Sequence, residues 1–285
     1  MKKEKRQVDT IVISDVHLGT YGCRAKELLH YLKSIKPRTV VLNGDIIDIW
    51  QFNKSYWPKS HMKVIKHLMN WLSKGVKVYY ITGNHDEMLR KFDGFKMGSF
   101  HIVNKLVLEL DNNERAWIFH GDVFDVTMQH SKWLAKLGAI GYDSLIIINS
   151  LANWISERVF KKGKISFSQK VKNSVKSAIK FINSFEETAA DIGISNNYQY
   201  VLCGHIHQPE MRRIDQSHGS IMYLNSGDWI ENLTALEYHK GQWKIFRFSE
   251  AERIDMLKGE EEDIDEMNIK QLFSQMVSEF NLKSS

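Results

Sequence analysis

Five short segments of the sequence carry acidic or amide side chains, four of them together with histidine, and each follows an apolar run. They are DVH at 15–17, NGDIID at 43–48, GNHDE at 83–87, HGD at 120–122 and CGHIHQP at 203–209. Imidazole is the commonest metal ligand in proteins and changes charge near neutral pH. A single segment of this kind is as often structural, with histidines that simply pack or face solvent at a strand end, as it is part of a metal site. Five of them together indicate a shared site.

The spacing within two of these segments favours a common centre. Asp15 and His17 are two residues apart, as are His205 and His207. Residues two apart at a strand end project to the same side. In a parallel α/β sheet, the loops beyond the carboxyl ends of the strands converge on one crevice, where ligands bind. We therefore expect the five segments to meet at a single site.

The candidate ligands mix imidazole and oxygen donors and include no thiolate. They are Asp15, His17, Asp45, Asn84, His120, His205 and His207. Such a set suits Mn²⁺, Fe²⁺ or Zn²⁺, and it argues against a cysteine-rich structural zinc or an all-oxygen calcium site. Seven ligands are too many for one ion and suit two. A carboxylate such as Asp45 can bridge ions about 3.5–4 Å apart, the separation used in two-metal hydrolysis of phosphate esters.

The elements that must position these residues alternate along the first third of the chain. The pattern predicts strands at 10–14, 39–43 and 76–82, with helices at 25–32 and 61–72 between them. Such alternation is typical of βαβ units and a largely parallel sheet. A hairpin is predicted next, formed by 102–110 and 116–120 around the turn DNNER.

Apolar residues recur at helical spacing from about 124 to 196, which predicts a helical insertion. Strands are predicted again at 198–204, 220–227, 233–239 and 243–248. We expect one domain over 1–248, including the insertion, and an acidic C-terminal tail over 249–285.

Composition sets limits on the protein class. A chain of 285 residues with 43% apolar residues can bury a sizeable core. The formal charge of +5 mildly favours phosphates or an anionic membrane surface, but it is too small to imply DNA binding. Two cysteines make no disulfide framework and fit a reducing compartment. We expect no signal peptide and no transmembrane helix, and hence a cytoplasmic protein.

The five segments, in order, resemble the motif series of the calcineurin-like metallophosphoesterases: D-x-H, G-D-x-x-D, G-N-H-D/E, H-G and G-H-x-H. The likeness covers residues 10 to about 248 in layout. It implies an α/β fold, a four-layer αββα sandwich, with the helical insertion as a lid between the HGD and GHIH motifs. It also implies a hydrolase with two divalent metal ions that attacks phosphorus in line with a metal-activated hydroxide.

The resemblance also assigns roles. The first metal would be held by Asp15, His17, Asp45 and His207, and the second by Asp45, Asn84, His120 and His205. Asn84 and the two cations would stabilise the transferring phosphoryl oxygens. His85 matches the family's active-site histidine, which assists the leaving oxygen. Asp48 would hold His85 in orientation, and Asp86 is expected to be a cap or a surface acid.

The insertion offers two interpretations of the substrate. Its large apolar residues include Trp133, Leu134, Leu137, Ile140, Leu151, Trp154 and Ile155, followed by Lys161, Lys162, Lys164, Lys170, Lys172, Lys176 and Lys180. They could form a lid over a substrate with acyl chains at an anionic membrane, or an ordinary helical hairpin with one basic face. The layout resembles the UDP-2,3-diacylglucosamine pyrophosphatases of lipid A synthesis. That resemblance implies a lipid-linked nucleotide substrate cleaved to UMP and a lipid monophosphate, Mn²⁺, and peripheral contact with the cytoplasmic face of the inner membrane.

One motif departs from that group. Many of its members carry G-N-R-D, whereas this chain has GNHD and so keeps His85. A phosphodiesterase or phosphatase of soluble nucleotides or phosphoproteins therefore stays open, as does a catalytically inactive scaffold; a nucleic acid partner is not expected. Asp228 and Trp229 are candidates for the rim of the site. Cys203 is expected to be a small buried hydrophobe rather than a nucleophile.

Overall fold

The computed structural model describes residues 5–50, 56–111, 113–124, 182 and 185–260. Its strands are β1 (Arg6–Ile13), β2 (Ile35–Asn43), β3 (Lys77–Ile81), β4 (Lys96–Met97), β5 (Phe100–Val103), β6 (Leu106–Glu109), β7 (Arg115–Ile118), β8 (Tyr200–Cys203), β9 (Glu210–Gln216), β10 (Gly219–Asn225), β11 (Thr234–His239) and β12 (Gln242–Arg247). Its helices are α1 (Ala25–Ser34), α2 (Lys59–Ser73), α3 (185–195) and α4 (Glu250–Glu260), with short 3₁₀ helices at Glu87–Phe92 and Asp122–Phe124.

The strands form two sheets. The first has seven strands in the order β12-β11-β1-β2-β3-β5-β4, and its centre from β1 to β5 is parallel. The second has five strands in the order β6-β7-β8-β10-β9, with β7, β8 and β10 parallel. Five of these parallel strands, β1, β2, β3, β7 and β8, lead into the five histidine-bearing and acidic segments.

Alternation along the strands divides the core into three clusters. On β1, Ile11 and Ile13 pack with α1 and α2, whereas Val12 lies between the two sheets. On β8, Leu202 lies between the sheets and Val201 packs with α3 on the outer side. Because side chains alternate across a strand, three clusters separate four layers. The structure therefore confirms the predicted α/β fold with an αββα order of layers.

The predicted hairpin was wrong at its first strand. The run 102–110 is two strands, because β5 ends at Val103 in the first sheet and β6 begins at Leu106 in the second. The break lies at Asn104, whose Oδ1 accepts a hydrogen bond from the Thr82 hydroxyl at 2.8 Å and whose backbone N–H donates to the Asp93 carboxylate at 2.9 Å. Polar contacts on both sides of Asn104 divert the chain from one sheet to the other.

The helical lid falls mainly on 125–181, which lies outside the described residues, as do the tryptophans and lysines named for it. Near its end, α3 packs Phe185, Ala189 and Ala190 against the second sheet. The division into a domain over 1–248 and a tail over 249–285 stays a prediction. The described start of that tail is α4, whose Asp255 carboxylate lies 3.6 Å from the His30 imidazole. Across the part of the chain that the structure describes, no helix has the length and apolarity to cross a bilayer.

Candidate metal centre and active site

The seven predicted ligands lie just beyond the carboxyl ends of five strands. Asp15 and His17 follow β1, Asp45 follows β2, Asn84 follows β3, His120 follows β7, and His205 and His207 follow β8. The first three strands belong to the seven-stranded sheet, and the last two belong to the five-stranded sheet. The candidate site is therefore built across the junction of the two sheets.

Hydrogen bonds tie these loops together. The backbone N–H of His17 donates to the Asp45 carbonyl at 2.9 Å, which joins the loops after β1 and β2. The N–H of His85 donates to Asp45 Oδ1 at 2.8 Å, which adds the loop after β3. From the second sheet, the N–H of His205 donates to Asp15 Oδ2 at 3.0 Å. In each predicted carboxylate ligand, one oxygen thus accepts a backbone hydrogen bond and the other is available to the candidate metal centre.

The backbone at the site is strained. Five of the ligands have positive φ, namely Asp15 at 51°, His17 at 51°, Asp45 at 53°, His205 at 65° and His207 at 56°. Residues other than glycine rarely adopt this left-handed backbone conformation, which costs about 1–3 kcal/mol for each residue. Such strain persists only where the surroundings fix it, and it concentrates at functional sites.

Two glycines make room for the ligands. A Cβ on Gly44 would lie 2.3 Å from the His120 ring, and a Cβ on Gly83 would lie 2.2 Å from Asp45 Oδ1. Both distances are far below van der Waals contact. The loops after β2 and β3 can therefore approach His120 and Asp45 only because these positions carry no side chain.

The side chains form groups that could hold metal ions. Asp15, His17 and His207 offer ligand atoms within 4.8 Å of one another, and so do Asp45, His120 and His205. The two groups are distinct, and each matches three of the four ligands expected for one metal.

Unsatisfied polar atoms show that these residues fit metal ions. His17 Nε2, Asn84 Oδ1 and His120 Nε2 are buried, and within the described residues none of them has a hydrogen-bond partner. The His120 Nδ1–H donates to the Asn43 carbonyl at 2.9 Å, so its Nε2 keeps a lone pair. Buried polar atoms without partners are costly, and a cation would satisfy all three.

Two carboxylate–imidazole pairs shift one another's pKa values. Burial would raise the pKa of the Asp15 carboxyl, but His207 at 3.0 Å and His120 lower it to about 2. Burial would lower the pKa of His207, but Asp15 raises it to about 9. In the same way, His120 lies 3.3 Å from Asp45 and lowers the pKa of that carboxyl, and Asp45 raises the pKa of His120. Both carboxylates are therefore ionised at neutral pH and attract cations.

The sequence profile of the calcineurin-like phosphoesterases matches residues 9–209. The chain belongs to this family. It is a metal-dependent phosphoesterase. A UDP-2,3-diacylglucosamine hydrolase of Blochmanniella pennsylvanica is 26% identical over 75% of this chain and 85% of its own length. A UDP-2,3-diacylglucosamine hydrolase of Aliivibrio fischeri is 23% identical over 82% of this chain and 99% of its own. A solved phosphoesterase from E. coli covers 84% of this chain and 93% of its own, at 12% identity and a TM-score of 0.41.

The phosphoesterase places His85 beside the candidate metal ligands. Its Nδ1 lies 2.9 Å from Asp48 Oδ2, and the same oxygen lies 3.4 Å from His17 Nδ1. The His85 and His17 rings meet edge to face with centroids 4.6 Å apart. Burial would lower the pKa of His85, but the hydrogen bond to Asp48 and the charges of Asp45 and Asp48 raise it. Two of the residues predicted as catalytic, His85 and Asp48, thus lie beside the predicted ligand His17.

The structure decides the positions of three further acidic or aromatic residues. Of the two roles expected for Asp86, a surface acid is excluded and a cap of backbone N–H groups is retained. Its buried carboxylate accepts hydrogen bonds from the Gly83 and Ile46 N–H groups at 2.6 and 3.0 Å and from the Tyr80 hydroxyl at 2.6 Å. Asp228 and Trp229 are fully buried, so their assignment to the rim was wrong.

Asp228 and Trp229 are linked by hydrogen bonds to the loops that carry the predicted ligands Asp15 and His207. The backbone N–H of Trp229 donates to the Asp15 carbonyl at 3.1 Å. The Asp228 carboxylate accepts the side-chain N–H of Asn232, which also donates to the His207 carbonyl at 2.8 Å. Sequence reasoning did not single out Asn43 and Asn232 as loop supports. Asn43 is the first residue of the NGDIID segment and Asn232 lies three residues after Trp229, so both could have been considered. Cys203 is buried as predicted, and burial raises the pKa of its thiol well above the usual value.

Proposed function

We propose that this phosphoesterase hydrolyses the diphosphate of UDP-2,3-diacylglucosamine, releasing UMP and a lipid monophosphate for lipid A synthesis. The observation that carries the proposal is the likeness to hydrolases named for that substrate, which extends over three quarters or more of this chain. The site is consistent with it, because two groups of ligands beside a histidine suit the hydrolysis of phosphate esters.

We assign the ligands as the family resemblance implies. Asp15, His17, Asp45 and His207 would hold one divalent ion, and Asp45, Asn84, His120 and His205 would hold the other. Mn²⁺ is the proposed metal, with Fe²⁺ or Zn²⁺ as alternatives, because the donors are imidazoles, carboxylates and one amide oxygen. When bound, the ions would supply Lewis acidity and lower the pKa of the attacking water.

The chain's own residues orient and protonate the substrate in this proposal. His85 Nδ1 faces the Asp48 carboxylate, which leaves Nε2 as the nitrogen that carries a proton toward the leaving oxygen. Asp48 fixes the ring and keeps its pKa raised. Asp86 accepts the Gly83 N–H and so fixes the turn that carries Asn84, whose side-chain amide would face the phosphoryl oxygens.

A phosphodiesterase of soluble nucleotides is the second candidate. It is favoured by one residue, His85, which stands where many lipid-cleaving relatives carry arginine. A bulky lipid substrate would need a place for its acyl chains, whereas a soluble diester would need only the centre itself.

The experiment that tests the proposal compares substrates. Metal-stripped protein is reloaded with Mn²⁺, and UMP release from UDP-2,3-diacylglucosamine in detergent is followed beside the hydrolysis of UDP-glucose and bis(p-nitrophenyl) phosphate. We expect turnover of the diacylated substrate far above that of UDP-glucose, its loss in His120→Ala, and its retention in the exposed control His218→Ala. Rapid cleavage of the small esters with no turnover of the lipid substrate would instead establish the second candidate.

A further inference from the structure

The segment 88–97 has an unusual surface. We propose that this segment, the docking edge, rests on an anionic lipid bilayer and delivers the site to a substrate held in that bilayer. The inference rests on the proposed function, because only a diacylated substrate requires contact with a membrane. Nothing in the metal centre itself calls for such a surface.

Large apolar side chains are exposed along the docking edge. Met88, Phe92, Phe95 and Met97 expose 51%, 45%, 44% and 45% of their surface. All eight residues from Lys91 to Gly98 are exposed. Single exposed apolar residues are ordinary, but a cluster of this kind marks a contact with another molecule or with a membrane.

Backbone hydrogen bonds hold the docking edge in a fixed shape. The Phe95 N–H donates to the Phe92 carbonyl at 2.9 Å, so a tight turn brings the two phenylalanines close. The Ile102 N–H donates to the Phe95 carbonyl at 3.0 Å, and Met97 pairs with Phe100. Phe95 lies immediately before β4 and Met97 lies within it, and both side chains are exposed. Both are therefore available at the end strand of the seven-stranded sheet.

The charges of the docking edge suit anionic head groups. The Lys91 Nζ lies 5.1 Å from the centre of the Phe92 ring. Lys96 and Lys77 lie near His101, whose pKa is lowered by burial and then by these two positive charges. The segment has one acidic residue, Asp93, and its carboxylate already accepts the Asn104 N–H. Apolar side chains flanked by lysines are the composition that binds anionic interfaces.

The docking edge is joined directly to the site. It begins three residues after His85, in the 3₁₀ helix that follows the GNHDE segment. The Arg90 guanidinium donates to the Asp122 carboxylate of the HGD segment, so the helix is tied to a second loop of the site. A bilayer in contact with the edge would therefore lie beside the metal centre. This arrangement favours a membrane over a protein partner, because the substrate's acyl chains can stay in the bilayer.

The test is partition of the full-length protein onto vesicles of phosphatidylethanolamine with 20% phosphatidylglycerol. We expect Phe92→Ser with Phe95→Ser to reduce partition about tenfold or more, because apolar burial in the interface is lost. The matched control is Ile254→Ser with Leu257→Ser, which removes two exposed apolar side chains from α4. We expect Lys91→Gln with Lys96→Gln to reduce partition about fivefold per lysine, and Lys36→Gln with Lys74→Gln at the other end of the strands to leave it unchanged.

Hydrolysis separates this inference from the proposed function. In the phenylalanine variant, turnover of bis(p-nitrophenyl) phosphate and of the lipid substrate in detergent should stay within about twofold of wild type, since the fold and site are intact. Turnover of the lipid substrate in vesicles should fall with partition. Equal partition of this variant and wild type, or a greater loss in the α4 control, would overturn the docking edge. Absence of lipid hydrolysis in detergent by wild type would instead refute the proposed function alone.

Discussion

Asp48 is the side chain on which two histidines of the site depend. One of its oxygens lies 2.9 Å from His85 Nδ1 and 3.4 Å from His17 Nδ1. A carboxylate in this position sets which nitrogen of each ring carries the proton, and so it presents Nε2 of both rings to the centre. Residues of this kind act through their neighbours without touching the substrate.

Asp48→Asn should therefore reduce kcat about 10- to 100-fold with little change in the structure. The raised pKa of His85 depends on Asp48, so the alkaline limb of the pH–rate profile should move to lower pH in the variant. The measurement is kcat against pH at saturating Mn²⁺.

A double mutant decides how Asp48 acts. If it works through His85, then Asp48→Asn in a His85→Ala background should cost less than about threefold, because coupled residues are not additive. A full loss in that background, together with weaker Mn²⁺ binding, would show that the contact with His17 matters more.

At the scale of elements, the loops after β2 and β3 determine the geometry of the centre. They come close to His120 and Asp45 because Gly44 and Gly83 lack a Cβ. The same loops are held by Asp86, which accepts N–H groups from both of them. The loops are therefore rigid supports whose backbone, as much as their side chains, shapes the site.

Gly44→Ala tests this with an internal control at Gly75. The two glycines have nearly the same φ, +79° and +80°, but a Cβ at Gly75 has no neighbour within 4 Å among the described residues. Both changes should lower the free energy of unfolding by about 1–2 kcal/mol through backbone strain. Only Gly44→Ala should also displace His120, with a loss of activity of about 100-fold and lower metal content, measured by turnover and by metal analysis. Equal activity in the two variants would contradict the close approach to His120.

At the scale of the whole molecule, a buried charge joins the first sheet to its helical layer. Glu237 on β11 is fully buried and accepts two hydrogen bonds from Arg6 at 2.8 and 2.9 Å and one from the Tyr31 hydroxyl of α1 at 3.1 Å. Burial would raise the pKa of Glu237, but Arg6, Lys244 and Tyr31 lower it below its usual 4.5. When folding lowers the pKa of a carboxyl, its ionised form stabilises the folded state at pH values above the unfolded pKa. This stabilisation is lost as the pH falls through the lowered pKa of the folded state.

Glu237→Gln should lower the free energy of unfolding by about 1–3 kcal/mol at pH 7, because charged hydrogen bonds are lost. The difference from wild type should shrink as the pH falls below about 4.5, where Glu237 of the unfolded wild-type chain takes up a proton, and vanish below the lowered pKa of the folded state. Urea unfolding at pH 7 and pH 3.5 measures both effects. Asp215→Asn is the control, since its ion pair with Arg213 at 2.8 Å is exposed and should change stability by less than about 1 kcal/mol. A difference that grows at low pH would contradict the assigned direction.

Much of the fold and the membership of the site followed from the sequence because the signals are local. Ile11, Val12 and Ile13 form a continuous apolar run, which predicts a strand that is buried on both faces. In the structure their side chains point alternately to the two sides of the sheet. Loops at the carboxyl ends of parallel strands converge, so five segments could be assigned to one place before their distances were known. Asp15, His17, Asp45, His120, His205 and His207 do lie together, and their roles as ligands stay a prediction.

The tertiary structure decided what depends on partners distant in sequence. Whether Leu106 continues the strand of Val103 depends on which sheet accepts it, and the sequence carries no such information. Asp228 and Trp229 stand in a polar turn that suggests a rim, yet both are buried. Trp229 stacks on Tyr31 of α1, and the Asp228 carboxylate accepts the N–H groups of Ile230 and Glu231. The exposure of Phe92 and Phe95 is the opposite case, since an apolar residue indicates the core until the fold leaves it uncovered. Local pattern determined the elements and the chemistry of their ends, whereas burial and pairing came from long-range contacts that only the folded chain makes.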